Sequence, residues 1–210
     1  MNFKLIFHLD GRGVSFNPRE PIHLDALLTW CLAPMQCNER HITRDDDPED
    51  IRLPLLRTKV KGIEVWRASA LFPDGPQFEG LQWWRKRFRD ARADLSAGSP
   101  NCGSGVYRDW SHPIPLVLCN TIVAFASGNR SECRKLLRKQ LRCLGKKRAY
   151  GLGKIVEIEA VETPEDYSLV RDGRAMRWLP NGQGPRLVRA RPPYWNRIDR
   201  VMCCEVGDSI

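Results

Sequence analysis

Hydrophobic positions along the chain recur with two periods, and the places where the period changes divide it into elements. Phe3, Leu5, Phe7 and Leu9 alternate with Lys4, Ile6, His8 and Asp10, the two-residue period of a strand with one face buried. Gly11-Arg12-Gly13 and Asn17-Pro18 interrupt it. Leu24, Leu27, Leu28, Cys31, Leu32 and Met35 then fall at i, i+3, i+4, i+7, i+8 and i+11, which predicts an amphipathic helix that Pro34 helps to end. Residues 36–58 are polar and predict a loop, and Val65, Trp66 and Phe72 supply the β-formers for a second strand over 63–72. Residues 116–125 are almost continuously apolar, the mark of a third strand covered on both faces. A second amphipathic helix follows, capped by Ser131, with Cys133, Leu136, Leu137, Leu141 and Leu144 on its apolar side and Gly145 at the position just past its end. Residues 155–161 complete the set as a fourth strand.

The order is β-α-β-insertion-β-α-β, an α+β fold with a ferredoxin-like (RRM-like) βαββαβ core. The insertion spans 73–112. It opens with the turn Pro73-Asp74-Gly75-Pro76, after which Phe78, Leu81, Trp84 and Phe88 share one helical face while Arg85, Lys86, Arg87, Arg89 and Arg92 crowd the rest, so a helix is expected over 78–92. Trp83 and Trp84 cannot share a helix face; Trp84 is expected to pack and Trp83 to meet a partner. Beyond the fourth strand, Asp172-Gly173 signals a two-residue hairpin turn. Prolines 180, 185, 192 and 193 make the remaining tail irregular, with 201–206 a last strand. The expected organisation is a core domain over 1–162 and a C-terminal extension over 163–210.

Charge narrows the function. The 210 residues carry a net charge of +9 and a pI of about 9.4, with most of the excess on 80–150 and 171–200, so the natural partner is an anion. The eight cysteines include no Cys-x-x-Cys pair, which argues against zinc. His41 and the acidic run Asp45-Asp46-Asp47-Pro48-Glu49-Asp50 are expected to be solvated rather than to bind metal, and no cofactor is implied. Neither a charged-then-apolar leader nor an apolar run near the ~20 residues of a membrane span is present. The expectation is a cytoplasmic protein with reduced thiols and no membrane contact.

The densest candidate chemistry lies at 144–154. Gly145, Gly151 and Gly153 permit close backbone approach, Lys146, Lys147, Arg148 and Lys154 supply charge, and Tyr150 supplies a flat ring, so phosphate and a base can both be satisfied there. This is not a nucleoside-triphosphate loop, which follows a strand and opens a helix. Upstream, Arg134, Arg138 and Arg142 recur every four residues beside Lys135 and Lys139. Like charges at that spacing cost a few tenths of a kcal/mol each, which a polyanion would offset.

A glycine-rich loop running from a helix into the last strand of a βαββαβ unit resembles the RAMP superfamily of CRISPR-associated RNA-binding proteins. More narrowly the chain resembles the small, 5′-handle-binding subunit of type IV CRISPR effector complexes. The resemblance rests on His23-Leu24-Asp25-Ala26-Leu27-Leu28, on the loop from Gly145 to Gly153, and on Arg191-Pro192-Pro193-Tyr194-Trp195. It implies a non-catalytic subunit that binds the 5′ handle of the guide RNA (crRNA), contacts the backbone and large subunits, caps and nucleates the backbone filament, and meets target DNA only through the complex. It implies RNA contact by Gly145, Lys146, Lys147, Arg148, Tyr150, Gly151 and Gly153, and it places the insertion where such proteins carry a thumb. Trp83, Arg85, Lys86, Arg87 and Arg89 are then thumb contacts to RNA or a neighbouring subunit, and Arg134, Arg138 and Arg142 are phosphate contacts.

Two other readings compete. A metal-independent endoribonuclease would use His8 or His112 with Tyr150 and Lys147 to deprotonate a 2′-hydroxyl and stabilise the phosphorane. A general RNA-binding protein would use the same basic surfaces without CRISPR partners. Tyr194 and Trp195, flanked by Arg191 and Arg197, either stack on bases or pack over the sheet edge.

Overall fold

The computed structural model describes residues 1–15, 20–36, 51–89, 96, 98 and 100–210. Its centre is a four-stranded antiparallel sheet in the order β4-β7-β1-β8, built from β1 (Asn2–Leu9), β4 (Phe72–Asp74), β7 (Thr121–Ser127) and β8 (Ile155–Glu162). Helix α1 (Leu24–Gln36) lies in the chain between β1 and β4, and α2 (Arg130–Gln140) between β7 and β8. The alternation of β1 decides which face the helices cover. Phe3, Leu5 and Phe7, all fully buried, stand opposite Ala126, Ala124 and Ile122 of β7 and pack with Leu24, Leu28 and Cys31 of α1 and Cys133 and Leu137 of α2. Each such apolar side chain removed from water contributes roughly 1.5–3 kcal/mol. Ile6, Val123 and Phe125 on the opposite face are covered by Tyr167 and Met176 from the C-terminal segment.

Both helices form where their stripes are apolar, but their ends differ from expectation. Asn129, not Ser131, caps α2: its side-chain oxygen accepts from the Glu132 N–H at 3.2 Å, and its amide donates back to the Glu132 carboxylate at 3.1 Å. The helix stops at Gln140 rather than at Leu144, because residues 142–144 turn away to pair with 153–155, so Gly145 is no helix terminator. Helix α1 runs past Pro34 to Gln36.

The expected second strand divides in two. Residues Ile63–Trp66 form β3, which among the described residues pairs with β2 (Arg57–Val60), and the sheet's own strand is Phe72–Asp74, which starts at the last residue of the expected strand and runs into the stretch read as a turn. The run 116–125 also divides, at Cys119-Asn120, into the end of β6 (Trp110–Leu118) and the start of β7.

The largest correction concerns the insertion. Over 78–89, the described part of 78–92, no helix forms; β5 (Phe78–Lys86) pairs with β6 over nine residues, from Phe78 opposite Leu118 to Lys86 opposite Trp110. Phe78, Leu81, Trp84 and Phe88 fit a helical period by coincidence. Gly80 weakens a helix, the adjacent tryptophans are β-formers, and the partner contains Pro113 and Pro115, which an edge strand tolerates and a helix interior does not. The insertion is therefore a β-arm over 78–118 rather than a helical thumb over 73–112. Arg92, Cys37, His41 and the acidic run at 45–50 lie outside the described residues.

In the C-terminal segment, Asp172 and Gly173 both have positive φ and close β9 (Val170–Arg171) onto β10 (Arg174–Ala175), as the Asp-Gly pair predicts. The tail is more regular than its prolines suggest. Strands β11 (Leu179–Pro180), β12 (Arg186–Arg189) and β13 (Arg200–Cys204) make a three-stranded sheet with β13 central, and Pro180 sits on an outer strand where no ladder donor is lost.

Candidate nucleic-acid interface

The glycine-rich stretch is a hairpin-like loop whose backbone is largely spoken for. Leu144 N–H donates to the Gly153 carbonyl at 2.8 Å and Ile155 N–H to that of Arg142 at 2.9 Å, closing the loop's neck. Its flank docks on residues 10–15: Lys146 N–H donates to Ser15 O and Gly153 N–H to Gly13 O, both at 2.7 Å. Two glycines are demanded by that packing. A Cβ on Gly145 (φ +76°) would sit 2.4 Å from Ser15 O, and one on Gly153 (φ +66°) 2.0 Å from Leu144 O. Gly151 (φ +80°) differs, since its nearest neighbour is the Arg12 side chain at 2.9 Å; it closes a 3-10 turn over Arg148–Tyr150. The N–H groups of Tyr150 and Gly151 are likewise engaged, with Lys147 O and Arg148 O. What the loop presents outward is therefore chiefly side chains: Lys146, Lys147, Arg148 and Tyr150 are all exposed.

Those side chains meet the β-arm at one residue. The Lys147 ammonium stands 4.1 Å from the centroid of the Trp84 indole, and Tyr150 meets the same ring edge-on with centroids 3.9 Å apart. A cation over an indole face and an edge-to-face ring pair each contribute roughly 0.5–1.5 kcal/mol. Trp84 thus packs within its own domain, while Trp83, projecting from the other face of β5, is 53% exposed. Lys86 shares the Trp84 face, and its ammonium donates to the Val106 carbonyl across the arm. Arg85, Arg87 and Arg89 are exposed. The structure therefore joins two segments that the sequence singled out separately, the basic loop and the aromatic-basic insertion. Arg12 adds a further exposed cation, held 3.3 Å from Asp10.

The arginine stripe does not survive as one line. Arg142 lies beyond the end of α2, and Arg134 donates from Nε to the Ile158 carbonyl on the outer strand β8 at 3.0 Å. Arg138 and Lys135 are exposed and, with Arg130, Ser131 and Arg134, line a shallow groove of about 390 Å³ beside Ala160.

The two histidines of the nuclease reading separate. His8 sits within β1, its Nε2 3.1 Å from Glu159. His112 stands opposite Trp84 in the register of the arm, and Trp84 is the residue that Lys147 and Tyr150 contact. Among the described residues no group of three or more His, Cys, Asp or Glu is placed to hold a metal. Burial pushes the Cys31 and Cys203 thiols up to about 11 and Cys133 to about 12, which leaves them protonated and unreactive.

Behind this surface, the N- and C-terminal motifs meet. Arg177 is fully buried; it lies 3.1 Å from the Asp25 carboxylate, and it donates to the carbonyls of Ala68 (3.1 Å) and Ala190 (2.7 Å) and to the Tyr194 hydroxyl (2.6 Å). Tyr194 donates in turn to Asp25 at 2.8 Å. Burial pushes the Asp25 carboxyl up, and the guanidinium pulls it back. His23 packs between the rings of Trp178 and Tyr194 with neither ring nitrogen hydrogen-bonded, and its pKa falls well below 6.5, first through burial and then through the charges of Arg177 and Arg186. Tyr194 is thus half-buried with its hydroxyl held by Arg177 and Asp25, while Trp195 is 47% exposed. Sequence reasoning passed over Arg177; its one signal was a lone cation inside Ala175-Met176-Arg177-Trp178-Leu179. It also passed over Trp30, whose signal was a position off the Leu24–Leu28–Cys31 stripe.

A family model described as CRISPR type IV associated protein Csf3 matches residues 2–101 and 84–206. No curated protein matches the chain. Among the described residues no helix is long and apolar enough to cross a membrane.

Proposed function

The chain belongs to this Csf3 family of type IV CRISPR-associated proteins, and on that premise we propose that it is the non-catalytic RNA-binding subunit that holds the 5′ handle of the guide RNA and caps the backbone-subunit filament. The ferredoxin-like reading of the core is supported by the sheet order β4-β7-β1-β8 with a helix in each β-to-β crossover. One observation carries the RNA reading: Trp84 of the arm is clasped by Lys147 and Tyr150 of the loop, so the cations of both segments serve one surface. Single-stranded RNA is held by such surfaces through charge along its backbone and rings beneath its bases, with base pairing left to read the target. Arg138 and Lys135 in the groove along α2 extend the basic surface toward a neighbouring subunit or a further stretch of RNA.

Purification of the assembled complex, followed by sequencing of its RNA, tests this. A uniform guide with a repeat-derived 5′ end, lost when Lys147 and Arg148 are replaced by alanine, is the expected result; heterogeneous cellular RNA would support a general RNA-binding protein instead.

One observation favours a second reading. His112 stands opposite Trp84 in the arm, and Lys147 and Tyr150 contact that same residue; a base, a cation and a phenol are the groups that metal-independent RNA cleavage uses. The scaffold reading expects no cleavage of labelled repeat RNA by the purified protein in chelator. Specific cutting that His112→Ala abolishes would make it a processing enzyme.

A further inference from the structure

Between α1 and the glycine-rich loop lies a groove of about 320 Å³, at the small end of the roughly 300–1,000 Å³ of small-molecule sites. Ile22, Leu27 and Cys143 form its apolar floor, and Trp30, 50% exposed, forms one wall. Two cations of the loop stand at its lip. The Arg148 guanidinium lies 5.4 Å from the Trp30 ring centroid, and the Lys146 ammonium is 3.8 Å from the Glu20 carboxylate, which also lines the groove. Gly145 contributes to the lining at a point where a Cβ would collide with Ser15 O, so the backbone there is fixed.

We propose that this groove is a subsite for a single unstacked nucleobase of the bound RNA, with the ring against Trp30 and the adjoining phosphate on Arg148. The proposal rests on the RNA-binding reading above and names where one nucleotide of that RNA goes. Three features select a base over other occupants. An apolar floor with one half-exposed indole suits a flat ring, for which stacking is worth more than any single hydrogen bond in an otherwise polar strand. Arg148 and Lys146 lie on the lip and not on the floor, the arrangement expected when the charge of the ligand stays outside while its ring enters. Glu20 repels phosphate but accepts from an exocyclic amine, so adenine, cytosine and guanine fit better than uracil. The groove is continuous with the loop through Gly145, Lys146 and Arg148, so a strand lying on the loop needs no detour to reach it.

The test uses the full chain and a fluorescein-labelled single-stranded RNA octanucleotide carrying the repeat-derived 5′ end, together with eight versions each abasic at one position. Circular dichroism controls for folding; Trp30 is exposed, and Trp30→Phe gives a second variant that keeps a ring. The expected result is a loss of about tenfold in affinity for Trp30→Ala, with most of it restored in Trp30→Phe. One abasic position should cost the wild type a similar factor and cost Trp30→Ala nothing further, and Glu20→Gln should narrow the difference between uracil and the other bases at that position. If the wild type binds but no abasic position couples to Trp30, the subsite is overturned while RNA binding stands. Impaired complex assembly by Trp30→Ala with a flat abasic scan would assign the groove to a protein neighbour and equally overturn it. No salt-dependent binding by the wild type would overturn both.

Discussion

At the scale of single residues, the three glycines of the loop separate into two kinds. Gly153 and Gly145 are held by backbone atoms closer than any side chain allows, whereas Gly151 faces only the end of a flexible arginine. Gly151→Ala should therefore cost only the strain of a left-handed residue, about 1–2 kcal/mol. Gly153→Ala adds a collision that the chain relieves by moving, for roughly 1–3 kcal/mol more. Urea titrations of the two variants check the order, and equal midpoints would mean that the loop neck is looser than its hydrogen bonds imply. Gly151→Glu, which the fold tolerates better than Gly153→Glu, places a carboxylate on the RNA face, and it should lower handle affinity without changing the far-ultraviolet spectrum.

The buried cluster makes a second residue-scale prediction. Arg177→Met leaves Asp25 ionised in the core without its partner and should cost about 3–5 kcal/mol. Acid should find the same region through His23. Its folded-state pKa lies well below the unfolded value of 6.5, so its contribution is fully present above pH 6.5 and is lost as pH falls from there, by up to about 1.4 kcal/mol per pH unit. Asp25, raised by burial, acts in the opposite sense closer to its own ordinary value of 3.8. Thermal melts between pH 7.5 and 5 should therefore fall for the wild type and flatten for His23→Phe. Parallel curves would show that His23 stays solvated.

At the scale of elements, what was legible depended on whether an element's partner was near in sequence and of one kind. Strand β1 and the two helices were readable because a single buried face stamps a single period on each. The arm was not: its residues face solvent on both sides for most of their length, so no burial pattern marks them, and a chance spacing of four aromatic and aliphatic residues imitated a helix. The loop's composition was legible from its glycines and cations. Its junction with Trp84 was not, because that contact spans more than sixty positions of chain and depends on the arm being extended.

The same exposure makes the arm separable. Replacing 87–109 by an Asn-Gly turn between Lys86 and Trp110, which already stand opposite one another, keeps the strand register and the buried Ile114 and Val117 at the base. Melting should change little. The variant loses Arg87, Arg89, Arg92 and Arg108, and the slope of log affinity against log salt should fall by about 0.7 for each of them that contacts phosphate on single-stranded RNA. An unchanged slope in a folded variant would remove the distal arm from the RNA interface.

At the scale of the whole molecule, the C-terminal segment is part of how the sheet is closed. Met176 and Tyr167 cover the face of the sheet that the helices leave bare, Ala70 N–H donates to Met176 O at 2.7 Å, and Arg67 binds Asp166 through Nε at 2.8 Å. The short motifs around His23-Leu24-Asp25 and Pro193-Tyr194 were visible as separate stretches of sequence. Nothing in their spacing told that 169 positions apart they share a hydrogen bond, because the residue that joins them, Arg177, belongs to neither. Ending the chain at residue 162 would return Ile6, Val123 and Phe125 to water and leave Asp25 buried without its cation. That combination forfeits apolar burial at roughly 25 cal/mol per Å² and adds an uncompensated charge, each a large fraction of the 5–15 kcal/mol that holds a domain together. The truncated chain should keep helical and strand signals in the far ultraviolet, lose near-ultraviolet structure and bind a hydrophobic dye, as a collapsed but unpacked state does. Supplying 163–210 as a separate polypeptide should restore cooperative melting, since the contacts across residue 162 are packing and ion pairs that need no covalent link. Should the 1–162 chain melt cooperatively alone, the extension would be an addition to a self-sufficient core, and the Asp25–Arg177 pair would have to owe its place to the surface it supports.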